Sequence, residues 1–183
     1  MRVLAISGSL RPASLNSLLL RAAEEQAPAG LEFDHYVGLA AIPPFHGERD
    51  GSPVPTEVTE LLARIEAADA VLIATPEYNG SIPGVLKNAL DWASTPFPEN
   101  VLKGKPVAVI GASTGGYGAM WAQADLRKVL GLIGARAVDP QVPVAKAHDL
   151  FGEDGRLLDD NVRIRLEGLL EALVAEVIPA VAA

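Results

Sequence analysis

The sequence contains no cysteine, which excludes disulfides, thiolate nucleophiles and cysteine-held zinc or iron–sulfur sites. Aromatic residues are scarce, with 2 Trp, 3 Tyr and 4 Phe among 183 residues. Histidine is scarcer still: His35, His46 and His148 are the 3 present, and they lack paired metal-ligand spacing. All three are read as structural or surface groups, and no metal site is expected. The turn-like stretch around Asp154 and Gly155 lacks the spacing of a calcium loop, so no bound calcium is expected either. Basic residues are in the minority. The 15 Lys and Arg against 23 Asp and Glu leave a formal charge of -8, which argues against nucleic acid and against an anionic membrane surface as partners. No apolar run reaches the length of a membrane span. The chain enters a strand at residue 2 with no charged leader before a long apolar region. A cytoplasmic protein is the expectation. Two glycine signatures are missing as well. Gly8 stands alone after the first strand, so no Gly-x-Gly-x-x-Gly dinucleotide fingerprint forms, and no Gly-Lys-Ser/Thr marks a P-loop.

What is present is an aliphatic, regularly alternating chain. Hydrophobic residues make up 49% of it, enough for the core of one domain spanning 1–183. Apolar runs predict strands near 2–7, 31–37, 69–75, 106–112 and 135–138. The runs near 69–75 and 106–112 are almost unbroken, as central parallel strands buried on both faces should be. Glu32, Asp34 and His35 mark the run near 31–37 as an edge.

Helical periodicity separates these runs. Leu15, Leu18, Leu19, Ala22 and Ala23 form the first pattern, with Ser14 as its cap. Val58, Leu61, Leu62 and Ile65 form the second, and Val85, Leu86, Ala89 and Leu90 the third, with Pro83 near its start. A fourth helix is predicted over roughly 119–131 and a fifth from about Asp159 or Asp160. Strands alternating with helices mean an α/β protein with a parallel sheet covered on both faces. For five strands, right-handed crossovers favour the flavodoxin-like three-layer sandwich in order 2-1-3-4-5, with a ligand at the switch point beside strand 1. The Pro/Gly-rich stretches 38–55 and 140–158 read as surface excursions, the first as a partial lid or a subunit contact.

Three loops stand at adjacent carboxyl ends in that topology. The first runs from Ser7 to Ser17 and carries Ser9, Arg11, Ser14, Asn16 and Ser17, with no carboxylate. Hydroxyls, an amide and a guanidinium at a helix start suit a phosphate group. The second holds Pro76, Glu77, Tyr78, Asn79 and Gly80, with an aromatic ring to pack beside a flat ligand. The third, Ser113, Thr114, Gly115, Gly116, Tyr117 and Gly118, lets backbone approach such a ligand closely. One phosphate and one planar ring system describe a mononucleotide such as FMN.

These three segments carry a resemblance. Gly8-Ser9-Leu10-Arg11 with Ser14, Asn16 and Ser17, the run from Pro76 to Gly84 continuing through Leu86-Lys87-Asn88-Ala89-Leu90-Asp91-Trp92, and Ser113 to Gly118 together resemble the NADPH-dependent FMN reductase family of quinone, chromate and azo-dye reductases. The resemblance implies FMN as cofactor and NADPH or NADH as co-substrate. It implies that Ser9, Arg11, Asn16 and Ser17 hold the phosphate. Pro76, Glu77, Tyr78 and Asn79 then line the isoalloxazine, and Ser113 to Gly118 form the other wall. Hydride would pass from nicotinamide to flavin, and electrons would then pass to a small-molecule acceptor at the same face. No catalytic side chain is expected, and Glu77 reads as a loop-fixing carboxylate rather than a proton donor. Arg127, Lys128 and Arg136 are weighed as contacts to the nicotinamide nucleotide and read as solvated charges. The resemblance further implies a homodimer or homotetramer with the flavin near an interface. The helix starting at residue 82, Trp92 and the loop near Phe97 are candidates for that contact. Where the family often has paired glycines, this chain has Gly118-Ala119.

Overall fold

A computed structural model describes residues 1–47 and 53–181, with side chains described as far as Val177. The predicted lid stretch therefore lies partly outside the described residues. Six parallel strands form the sheet: β1 (Arg2–Ser7), β2 (Glu32–Tyr36), β3 (Ala70–Ala74), β4 (Pro106–Ala112), β5 (Arg136–Ala137) and β6 (Val142–Val144). Their order is β2-β1-β3-β4-β5, with β6 also paired to β4. The helices are α1 (Leu15–Glu25), α2 (Thr56–Ala67), α3 (Gly84–Ala93), α4 (Met120–Leu132) and α5 (Asp160–Val181). The expected flavodoxin-like order is thus the observed one.

The two faces follow from the period of a strand. Leu4, Ile6, Val71, Ile73, Val107 and Val109 point to one side and pack under α2, α3 and α4. Val3, Ala5, Leu72, Ala74, Ala108 and Ile110 point to the other and pack under α1 and α5. Every residue of β3 and β4 is buried. Each fully buried leucine or isoleucine contributes about 1.5–3 kcal/mol relative to exposure, so these two strands anchor the molecule. The edge strand β2 behaves as its charges predict. Asp34 pairs with Arg2 at 2.8 Å and Arg64 at 3.0 Å, and His35 meets Glu24 at 2.9 Å.

The last strand departs from expectation. The sequence predicts a single run at 135–138 and an excursion over 140–158. Instead β5 pairs with the start of β4, and the chain leaves the sheet around Asp139-Pro140. It then returns as β6 along Ile110–Ala112. Pro140 has no N–H to continue a ladder, while Val142 and Val144 alternate inward and are buried. A three-residue strand with a proline at its centre has too weak a pattern to be read from sequence.

The stretch after β2 also packs more closely than an excursion. Leu39 and Ile42 are buried, Phe45 N–H donates to Asn88 Oδ1 at 2.7 Å, and the Trp92 indole donates to Pro43 O at 2.8 Å. Phe45 meets Trp92 edge-on at 5.1 Å. Trp92 is therefore committed within its own chain, 4% exposed, whereas Phe97 is 71% exposed.

Candidate functional site

Backbone bonds that continue the ladder beyond the strands set the site. Gly8 N–H donates to Ala74 O at 2.8 Å, Thr75 N–H to Ile110 O at 2.9 Å and Ser113 N–H to Val144 O at 3.1 Å. The loops after β1, β3, β4 and β6 thus leave the sheet side by side. They enclose a cleft of about 350 Å³ lined by Ser9, Arg11, Ser14, Asn16, Pro76, Glu77, Tyr78, Ser113, Thr114 and His148, with Ala13, Leu15 and Ala112 completing the wall. That volume is within the range of small-molecule sites. A groove of about 400 Å³ between α2 and the 95–101 turn has Glu66 and Glu99 as its charged lining, which repels an anion.

The α1 end of the cleft is organised by hydroxyls. Ser14 is the N-cap of α1, and its Oγ accepts from Ser17 N–H at 3.3 Å. The Ser17 hydroxyl donates to Ser7 Oγ at 3.1 Å, and Ser9 N–H reaches the same oxygen at 3.3 Å. The amides of Leu15 and Asn16, in the first turn of α1, have no intrahelical acceptor. Arg2, Arg64, Arg127, Arg136, Arg156 and Arg163 each form an ion pair; Arg11 is not among them and lines the cleft. A helix start, hydroxyls and a guanidinium without an ion-pair partner among the described residues, with no carboxylate in the loop, fit a phosphate monoester.

Asn16 plays a different part from its neighbours. Its side chain is 3% exposed. It donates to Ala112 O at 3.0 Å and accepts from Ala112 N–H at 2.9 Å. Both ends of the amide are therefore spent clamping α1 to the end of β4, and only its backbone N–H faces outward from the helix start.

The β3 loop turns tightly at Tyr78-Asn79-Gly80-Ser81. Tyr78 and Ser81 exchange backbone bonds of 3.0 and 3.2 Å, and Asn79 and Gly80 take φ of 54° and 79°. Asn-Gly at two positive φ values is the residue pair that such a turn requires. Asn79 and Gly80 form the tip, and Tyr78, 48% exposed, stands over the cleft. Glu77 fixes the loop: its Oε2 accepts from the backbone N–H groups of Trp121 and Ala122 at 3.1 and 3.2 Å. The carboxylate thus occupies the positive end of α4. A second tie runs from the Ser81 hydroxyl to Asp125.

The β4 loop is held from beneath. Lys146 N–H donates to Gly115 O and Ala147 N–H to Ser113 O, both at 2.9 Å. Gly118 has φ of +60°, and a Cβ there would stand 2.5 Å from Val144 N. Gly115 and Gly116 are exposed, and Tyr117 stacks at a tilt on Trp121 at 4.6 Å. Ala119 takes φ of 59°, a conformation that costs a non-glycine residue about 1–2 kcal/mol. That is the physical consequence of alanine in place of the second glycine of the pair.

Two groups escaped the sequence reading. Gln123 is completely buried, and its Nε2 donates to Gly118 O at 3.0 Å. Its Oε1 has no partner among the described residues. The available signal was a polar residue at a core position, three and seven residues before Leu126 and Leu130 on α4. Its amide also explains the glycine inside β4, because a Cβ at Gly111 would lie 2.8 Å from Nε2. The second is His148, read as a structural or surface group and brought to the cleft by the segment that follows β6. Conversely, Arg127 and Arg136 are not gathered there. Arg127 bonds Val138 O and Asp139, and Arg136 bonds Gly104 O and Glu176.

Residues 1–149 match the NADPH-dependent FMN reductase family. The chain belongs to that family. It is 42% identical over 173 residues to an NAD(P)H-dependent FMN reductase of Pseudomonas aeruginosa, covering 94% of this chain and 92% of the relative. It is 35% identical over 176 residues to a 2-hydroxy-1,4-benzoquinone reductase of a Burkholderia species, covering 96% and 95%. Among solved structures, the flavoenzyme NAD(P)H:(acceptor) oxidoreductase FerB of Paracoccus denitrificans superposes with a TM-score of 0.84 at 37% identity, covering 97% of each chain. The reductase is accordingly a flavin-dependent oxidoreductase on a flavodoxin-like fold, and no helix among its described residues is long and apolar enough to cross a membrane.

Proposed function

We propose that the four-loop cleft binds FMN and that NADPH or NADH reduces it there for delivery to a small diffusible acceptor. The acceptor is a quinone, free flavin, chromate or an azo compound. When bound, FMN would supply the redox chemistry, hydride acceptance from a nicotinamide and onward electron transfer. The chain's own residues bind and orient. Ser9, Arg11, Ser14 and Ser17 receive the phosphate with the α1 amides, and Asn16 acts through its backbone while its side chain braces the wall. Pro76 to Gly80 and Ser113 to Gly118 enclose the ring, with Glu77 holding one wall to α4 and Gln123 holding the other. Backbone N–H groups of these walls are the donors available to a ring that gains negative charge on reduction.

The observation that carries this reading is the union in one cleft of Arg11, which has no ion-pair partner among the described residues, a hydroxyl-rich helix start and two tied loop walls. Apolar side chains beside it, Tyr117, Met120 and Trp121, are 62%, 42% and 48% exposed. A second copy of the chain covering this face is consistent with a homodimer or homotetramer. Replacement of Arg11 by alanine tests the assignment. FMN affinity, measured by quenching of flavin fluorescence, is expected to fall by about 1.5–3 kcal/mol, the scale of a hydrogen bond to a charged group. Unchanged affinity would remove Arg11 from the phosphate site.

A further inference from the structure

His148 lies in the cleft for reasons that the flavin walls alone do not explain. The segment that carries it is fixed on both sides of the β4 loop, through Lys146 N–H to Gly115 O and Ala147 N–H to Ser113 O. Lys146 adopts φ of 46°, and this turn puts Ala147 fully into the core. The next side chain is thereby turned outward, and His148 lines the same cleft as Ser9, Arg11 and Ser14. Its imidazole is 53% exposed, and its Nε2 lies 3.3 Å from the carboxylate of Asp149, which is 63% exposed. No core packing requires a histidine there.

The charge balance of the cleft points to a use. Arg11, Glu77 and His148 are its acidic and basic lining residues, and the Glu77 carboxylate is engaged by two amides of α4. A phosphate monoester brings close to two negative charges into a protein whose formal charge is -8. Arg11 answers one of them. We propose that His148 is a second contact to a phosphate monoester in this cleft, donating a hydrogen bond from its imidazole N–H. The proposal rests on the flavin reading above. Two molecules of the reaction carry such a group: FMN itself, and NADPH through the phosphate that distinguishes it from NADH.

The test compares the wild-type chain with His148→Gln and His148→Lys. Flavin-free protein is titrated with FMN and with riboflavin, which lacks the phosphate, and KM is measured for NADPH and for NADH. His148→Gln is expected to weaken one phosphate-bearing molecule about 10-fold, as a partly exposed hydrogen bond to a charged group should, while its phosphate-free counterpart is unmoved. His148→Lys is expected to restore most of that difference. A selective loss for FMN names the flavin phosphate as the ligand; a selective loss for NADPH names the nucleotide phosphate. Equal changes for both members of each pair, or no change in either, overturn the proposal. A wild-type chain that binds neither FMN nor riboflavin strikes instead at the flavin reading, so the two failures are distinguishable.

Discussion

Replacing Asn16 with leucine is expected to lower stability by about 2–5 kcal/mol, because it strands the N–H and the C=O of Ala112 in a buried place and each unpaired group costs about 1–3 kcal/mol. Leucine fills a similar volume, so the loss reports the two hydrogen bonds of 2.9 and 3.0 Å more than packing. For a chain of this size the thermal midpoint should drop by about 5–15 °C. Asn16→Asp is expected not to rescue it: a carboxylate can still accept from Ala112 N–H but sets a second oxygen against Ala112 O. A thermal melt followed by circular dichroism reads both variants. FMN binding should weaken alongside stability, since the clamp sets the distance between the α1 start and the β4 loop. A midpoint shift below about 2 °C for Asn16→Leu would mean that Ala112 finds other partners and that α1 is positioned by its apolar face alone.

Gly118→Ala is expected to reduce FMN affinity at least about 100-fold, a change of roughly 2.7 kcal/mol. The added methyl would meet Val144 N at 2.5 Å, Ala145 N at 2.8 Å and Pro143 C at 2.8 Å. All three are backbone atoms of β6 and its exit, which cannot rotate away as a side-chain end could. The φ of +60° adds strain for any residue with a Cβ. The β4 loop must therefore lift, and the bond from Gln123 Nε2 to Gly118 O breaks with it. Gly131→Ala provides the comparison. That glycine lies within α4, and its Cβ would meet nothing within 4 Å. Its replacement should leave FMN binding unchanged and raise stability by about 0.5–1 kcal/mol through helix propensity. Titration of both variants with FMN decides the matter. Wild-type affinity in Gly118→Ala would show that the contact of the β4 loop with β6 is not needed to shape the flavin wall.

Much of this architecture was legible in the residues, for a physical reason. The unbroken apolar runs of β3 and β4 could only be strands buried on two faces, and the charges of β2 could only be an edge. Ser14 announced its own helix, whereas the turn at Asn79-Gly80 emerged only with the structure. What stayed illegible depended on contacts between distant segments. Asn16 has the same polar character as Ser17, yet one is spent on β4 and the other faces Ser7. Trp92 looked available for a partner until Pro43, Phe45 and His46 closed around it. β6 could not be read because three residues around a proline carry no period, and with it His148 was lost. Gln123 was hidden by its α4 pattern, in which a polar side chain among apolar ones signals a buried partner without naming it.

The central claim is that this cleft joins FMN to a nicotinamide donor. Purified chain loaded with FMN should be titrated with NADPH, then NADH, in the absence of oxygen, with the visible flavin band recorded at each step. The account predicts bleaching by about one equivalent of at least one donor and full recovery of the band on adding a quinone, as follows if both reactants meet at one open cleft. A protein that takes up no flavin, or that holds flavin whose band neither donor bleaches, would contradict it.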